Sequence, residues 1–132
     1  MLHRGTEKLV EYRSYNQSIP YFNRLDYASL LAQEEVYCYG IEKLSSLRIS
    51  RYASVTRTIL LEMSRTLNHL LAVTTHAIDV GAFTPFLWAF DEREKLMSFY
   101  EPTSGARMHT AGLRPGGISV DAPLYLIDRA YK

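Results

Sequence analysis

Cysteine is nearly absent from this chain: Cys38 is the one thiol in 132 residues. An internal disulfide framework is excluded, and so is any multi-cysteine metal site built from this chain alone. Excess charge of one sign is missing too. Fifteen Lys and Arg face fourteen Asp and Glu, a formal net charge of +1, whereas a general nucleic-acid binder is markedly basic. The first eight residues, Met1 to Lys8, hold no apolar segment of a secretory signal, and Glu7 and Glu11 make a poor transit peptide. There is no internal repeat and no low-complexity tract. The longest weakly charged run, Thr66 to Phe90, has the length to span a bilayer. It also carries Asn68, His69, His76, Asp79 and Pro85, and a mid-span Asp costs about 2.5–3.5 kcal/mol. The run is therefore expected to be buried in protein, with no membrane span. What the chain does have is 47% hydrophobic residues, enough for a core, and ten tyrosines. A tyrosine buries a ring and keeps a hydroxyl that needs a partner, which suits interfaces and half-wet pockets.

The pattern along the chain predicts a mainly α fold. Glu7 to Tyr15 is a short helical candidate, and Ser18-Ile19-Pro20 interrupts it. Three-four spacing of Leu25, Ala28, Leu31, Ala32, Glu35, Tyr39 and Glu42 predicts a helix over 21–44. A second covers 51–79, with Val55, Ile59, Leu60, Met63, Leu67, Leu70, Leu71, Thr74 and Ile78 as its apolar stripe and Gly81 closing it. A third, over 85–100, starts at Thr84-Pro85, Thr serving as N-cap, and stops at Glu101-Pro102. Residues 101–123 are rich in Gly and Pro and expected to be irregular. Arg114-Pro115-Gly116-Gly117 is a turn with glycine at positive φ. A last short helix is expected over Ala122 to Tyr131. A 27-residue helix is about 40 Å long, while a compact domain of this length is roughly 36 Å across. The chain, 1–132, is thus expected to be a single partial domain within a larger helical one.

Several groups of residues can carry chemistry. His69 and His76 share a helix face, with Asp79 three residues beyond His76. They read either as a buried polar relay or as histidines capping backbone or satisfied in a core. Their spacing suits no compact metal site. Asp79 stands in an apolar stretch, where a buried carboxylate needs a partner or a shifted pKa. On a helix, Arg24 and Tyr27 are i,i+3 neighbours offering a cation and a phenol to one acceptor; alternatively, Arg24 stacks on Tyr27 at the surface. Ser104 to His109 with Arg114 to Gly117 brings two Arg and a His into a glycine-rich segment. It could wrap an anion or a cluster held by another chain, with His109 titrating near neutrality, or be a plain ordered turn. It lacks the Gly-Lys-Ser/Thr of a P-loop. Asp91-Glu92-Arg93-Glu94-Lys95 reads as a solvated or interface helix face.

Taken in order, these runs resemble one family. They are His3-Arg4-Gly5-Thr6-Glu7-Lys8-Leu9, Pro20-Tyr21-Phe22 with Arg24-Leu25-Asp26-Tyr27, Ala32-Gln33-Glu34 and Asn68-His69-Leu70-Leu71-Ala72. They continue through Thr75-His76-Ala77, Asp79-Val80-Gly81-Ala82, Thr84 to Phe90, Glu92 to Leu96, Ser104 to His109 and Arg114 to Gly117. The chain is similar to the 49-kDa-type core subunit (subunit 7) of respiratory NADH:ubiquinone oxidoreductase, complex I, over essentially its whole length. It is distantly like the large subunit of nickel–iron hydrogenases, whose two Cys-x-x-Cys pairs it does not contain.

The resemblance implies an enzyme role as one part of that proton-translocating oxidoreductase, not as an isolated chain. The chain would help form the ubiquinone head-group site beside the terminal 4Fe–4S cluster and couple quinone reduction to proton translocation. Tyr27, Thr75 and Asp79 match quinone-site positions, with Tyr27 on the head group and Asp79 linked to a histidine there. Arg4, Arg24 and His109 match cluster-proximal positions; Arg4's counterpart can be dimethylated, and His109's counterpart is protonated in step with cluster reduction. The cluster itself is implied to sit in a neighbouring 20-kDa-type subunit, so no metal is expected on this chain. Other implied partners are the 30-kDa-type subunit and the quinone-channel membrane subunit, with no nucleic acid. The implied location is the matrix-side peripheral arm at the mitochondrial inner membrane, or the cytoplasmic membrane face in a bacterium. The family subunit is longer at both ends, and its quinone-binding histidine lies before this chain's first residue. A split subunit completed by separate chains is therefore expected. Asn23, Pro102 and Gly112 stand where the family usually has Asp, Arg and Tyr. The alternative is a non-catalytic helical scaffold or assembly piece derived from that subunit.

Overall fold

A computed structural model describes residues 3–121. The expected helix over 122–131 lies outside the described residues. Among the described residues six helices run in order: α1 (Thr6–Val10), α2 (Tyr15–Asn23), α3 (Leu30–Ser45), α4 (Arg51–Asp79), α5 (Thr84–Met97) and α6 (Tyr100–Ser104). A small hairpin follows, β1 (Leu113–Arg114) against β2 (Gly117–Ile118), with Leu113 opposite Ile118 and Arg114 opposite Gly117. The fold is mainly α, as the periodicity predicts.

The helix boundaries near the N-terminus depart from the expected ones. The pattern suggested a break at Pro20 and one helix over 21–44. Instead α2 runs through Pro20, and the break falls at 24–29. The cause is a capping box at the start of α2: the Ser14 hydroxyl accepts from the Gln17 amide and the Gln17 side chain accepts from the Ser14 amide. Pro20 cannot donate to the Asn16 carbonyl, but Asn16 is exposed and water can replace that bond. Beyond α2, Asp26 Oδ1 accepts from the Ala28 amide at 3.1 Å, a side-chain turn that competes with helix. Arg24 and Tyr27 are consequently not neighbours on a helix face.

Near the other end, α5 begins at Thr84 with Pro85 in its first turn, and Thr84 is not its N-cap. The chain turns at Ser98-Phe99, and α6 carries Pro102 before ending on Gly105 at φ 77°. The turn glycine of the hairpin is Gly116, at φ 92°, a region open to glycine and costly for other residues.

The core joins α2, α3, α4, α6 and the hairpin through Ile19, Leu31, Cys38, Leu60, Leu67, Tyr100 and Leu113. Phe22 stacks on Tyr37 with ring centroids 4.1 Å apart. The buried face of α4 differs from the expected stripe. Ala53, Thr56, Arg57, Leu60, Ser64, Leu67 and Thr74 are buried, while Val55 and Ile59 are exposed. Small residues on that face let α3 and α5 approach closely. At 29 residues, α4 is about 43 Å long, longer than the compact diameter expected for this chain.

Candidate functional site

Two buried polar clusters hold the segment after α6 against the helices. The first centres on Glu34 in α3, which is wholly buried. Its Oε1 accepts from the Asn23 amide nitrogen and from the Thr110 hydroxyl (3.2 Å); its Oε2 accepts from the Leu113 amide (3.1 Å). No cation is among these partners. Burial therefore dominates and pushes the Glu34 carboxyl up to about 7, against the opposing hydrogen bonds. Asn23, also wholly buried, donates from the same nitrogen to the Thr110 carbonyl at 3.1 Å. Its oxygen lies 3.1 Å from His109 Nδ1. His109 is exposed and sits at φ 50°, an uncommon backbone region for a residue with a Cβ.

The second cluster centres on Arg57 in α4, whose side chain is 2% exposed. Its guanidinium grips Glu42 with two bonds, 2.7 and 3.2 Å, and lies 3.3 Å from Glu35. It also donates to the carbonyls of Arg114 (2.7 Å) and Gly117 (2.8 Å). Glu42 in turn accepts from the Gly116 amide at 2.7 Å. Burial opposes the charge on Arg57, but Glu42 and Glu35 outweigh it and hold its pKa above the ordinary value. Burial raises that of Glu35. One cation from α4 and one carboxylate from α3 thus clamp both strands of the hairpin.

The expected site residues fall into separate places. Arg24 caps the end of α2 next to Asn23, and one of its nitrogens reaches the Pro20 carbonyl at 3.5 Å. The Asn23–His109 bond therefore brings Arg24 and His109 to the same end of α2. Tyr27 is 60% exposed in the turn that follows. Arg4 is exposed just before α1. Thr75 and Asp79 lie one turn apart near the end of α4, and the Thr75 hydroxyl donates back to the Leu71 carbonyl at 2.9 Å. Asp79, expected to be buried, is exposed, being the last residue of α4 where the chain turns into α5. His69 and His76 are exposed as well, so they form no buried relay with Asp79. Among the described residues no hydrogen bond or ion pair joins Tyr27 to Asp79. In the acidic run of α5, Asp91, Glu92 and Lys95 form exposed pairs as expected. Arg93 instead turns inward to the Leu67 carbonyl.

Among the described residues no group of three His, Cys, Asp or Glu is disposed to hold a metal ion, and no helix is long and apolar enough to cross a membrane. Cys38 is fully buried, and burial pushes its thiol up to about 12, so it offers no thiolate to a cluster. The described residues do not fit ligation of a metal cluster. Pattern reading missed Asn23, Arg57 and Glu42 as site residues and used Glu34 only as part of a motif. Charged residues on the inward side of a helical repeat were the available signal.

The comparisons with known proteins decide what this arrangement belongs to. Residues 79–132 match the family model of the respiratory-chain NADH dehydrogenase 49 Kd subunit. The whole chain is 58% identical to the NADH-ubiquinone oxidoreductase 49 kDa subunit of Reclinomonas americana. The chain belongs to the 49-kDa subunit family of respiratory-chain NADH dehydrogenase. Over 126 residues, 96% of the chain, it is 59% identical to NADH dehydrogenase (ubiquinone) iron-sulfur protein 2 of Arabidopsis thaliana. It is 60% identical over the same length to the 49 kDa subunit of Acanthamoeba castellanii. It spans about a third of these relatives, 33%, 32% and 31% of their lengths respectively. In this chain the Glu34 cluster ties the end of α2 to α3 and the segment before the hairpin, and the Arg57 cluster ties the hairpin to α3 and α4.

Proposed function

We propose that this chain supplies part of the ubiquinone head-group site of mitochondrial NADH:ubiquinone oxidoreductase, on its peripheral arm, next to a 4Fe–4S cluster held by a neighbouring subunit. One observation carries the reading beyond the family match. The Asn23–His109 hydrogen bond gathers Arg24 and His109 at one end of α2, and the exposed Tyr27 follows three residues later. Arg4, exposed before α1, would join the same charged surroundings.

Quinone reduction takes up two electrons and two protons at a place shielded from water. The cluster, when present beside this face, supplies the electrons; the protein's part is position and electrostatics. Tyr27 donates its phenol hydrogen to one quinone carbonyl and stabilises the negative charge that develops on that oxygen. Arg24 adds positive charge nearby, favouring electron arrival. His109 takes up a proton as negative charge increases on the facing surface. Asp79, with Thr75 one turn before it, accepts a hydrogen bond from an imidazole on a facing surface and keeps that ring charged more readily. The membrane partners and the coupling to proton translocation belong to the same proposal.

The test is Tyr27→Phe in the assembled complex. Assembly and electron transfer from NADH to an artificial acceptor upstream of quinone are expected to persist, while the apparent quinone KM rises or turnover falls. Quinone kinetics equal to wild type would overturn the assignment of Tyr27. For His109, His109→Met is expected to flatten the pH dependence of the cluster's midpoint potential; an unaltered slope would remove it from the scheme.

A further inference from the structure

The hydrogen bonds around Asn23 leave its side chain one orientation. Its nitrogen faces the Thr110 carbonyl at 3.1 Å and the Glu34 carboxyl group. A carbonyl can only accept, whatever the protonation of Glu34, so the amide nitrogen must point there. The amide oxygen is then left for His109, 3.1 Å away, and an oxygen of this kind accepts. His109 Nδ1 must therefore carry a hydrogen, and Nε2 is the ring nitrogen at which a proton is gained or lost.

We propose that Asn23 and Glu34 are positioning residues for His109: Glu34 fixes the amide of Asn23, and Asn23 fixes the imidazole with its hydrogen on Nδ1, so that proton exchange takes place at Nε2. The orientation follows from the hydrogen bonds alone, and its functional value rests on the proposed role of His109. An amide does not relay protons at a useful rate, so Asn23 is a lock and not a conduit. The lock also transmits charge. An acceptor on Nδ1–H stabilises the imidazolium more than the neutral ring, and an ionised Glu34 behind the amide polarises it further. The other charged groups on the surrounding elements are Arg24, next to Asn23 on α2, and Arg107, whose guanidinium is paired with Glu94 of α5. Both are exposed, Arg107 two residues before His109 and Arg24 next to its partner Asn23, and they oppose the imidazolium charge. His109 takes the left-handed backbone region, at φ 50°, in the conformation that carries its hydrogen bond to the amide.

The experiment follows deuterium exchange at the His109 ring carbon by mass spectrometry, as a function of pH, in the assembled complex. Its midpoint reports protonation of this one ring. Asn23→Ala removes the acceptor and is expected to lower the midpoint by about half a pH unit or more; Asn23→Asp, made together with Glu34→Gln so that an amide and not a second carboxyl faces it, adds negative charge and is expected to raise it by about one unit. Glu34→Gln is expected to lower it. Opposite movements in the two Asn23 variants are a result that a purely structural role would not produce. A midpoint equal to wild type in assembled Asn23→Ala complex overturns the proposal. The cluster's midpoint potential is measured on the same samples. If the His109 midpoint moves and the slope of potential against pH does not, the lock stands and the redox role of His109 falls.

Discussion

At the scale of single residues, the informative groups are charged side chains buried inside helices. Glu34 sits two residues after Ala32 in a run that reads as an ordinary amphipathic helix, and its burial depends on Thr110 and Leu113, 76 and 79 residues away. Its acidity has a direct consequence for stability. The native carboxyl titrates at about 7 against a reference of 4.5. Between those values the folded chain keeps a proton that the unfolded chain has released. The contribution of Glu34 is therefore full below pH 4.5 and is lost as pH rises through 7. A shift of this size corresponds to roughly 3 kcal/mol. Thermal unfolding of the complex across this range is expected to show wild type losing its advantage over Glu34→Gln as pH rises; a constant difference would contradict the raised pKa. His109 stood out as a candidate site residue because it stands in a glycine-rich segment. Its partner Asn23 did not, since nothing local marks an asparagine as buried.

At the scale of elements, the hairpin 113–118 depends on helices far from it in sequence. Two strands of two residues cannot hold together alone, and Arg57 with Glu42 supplies what they lack. Removing the cation leaves Glu42 buried without its partner, which typically costs about 3–5 kcal/mol. Arg57→Met is expected to free the hairpin, read as faster amide exchange at Gly116 and Gly117 in the assembled complex. The double variant Arg57→Met with Glu42→Leu is expected to recover part of the lost stability, because the buried Glu42 carboxylate is then no longer stranded, while Glu35 at 23% exposure keeps access to water. A double variant as unstable as the single one would show that the carbonyl contacts matter more than the ion pair. Gly116→Ala, at φ 92°, is expected to destabilise the same turn by about 1 kcal/mol, measurable by the same exchange. The turn at Pro115-Gly116 was legible, since its chemistry is local. The course of α2 through Pro20 was not, because the capping box at Ser14 and Gln17 outweighs the proline.

At the scale of the whole molecule, α4 and α5 leave apolar side chains in the open. Val73, Val80, Phe83 and Leu87 are exposed, and Trp88 is 69% exposed. Large apolar side chains exposed close together in sequence suit contact with further protein, and the chain spans only about a third of its relatives. Lysine at both Leu87 and Trp88 is expected to reduce recovery of assembled complex several-fold, judged by native electrophoresis. Glu62→Lys, on an exposed and already charged part of α4, is expected to leave recovery unchanged. Equal recovery of both variants would show that the α5 surface carries no assembly contact.

Local chemistry was enough to make the chain helical, to end α4 near Gly81 and to bend it at Gly116, because periodicity, capping and positive φ act within a few residues. The order of its motifs was enough to place it in its family. The buried side of each helix needed the packed molecule. Val55 and Ile59 fit the apolar period of α4 but face outward, while Arg57 faces inward because Glu42 and two hairpin carbonyls meet it there. Burial of a charge is favourable only when distant groups complete its bonds, and bringing those groups together is the work of the fold.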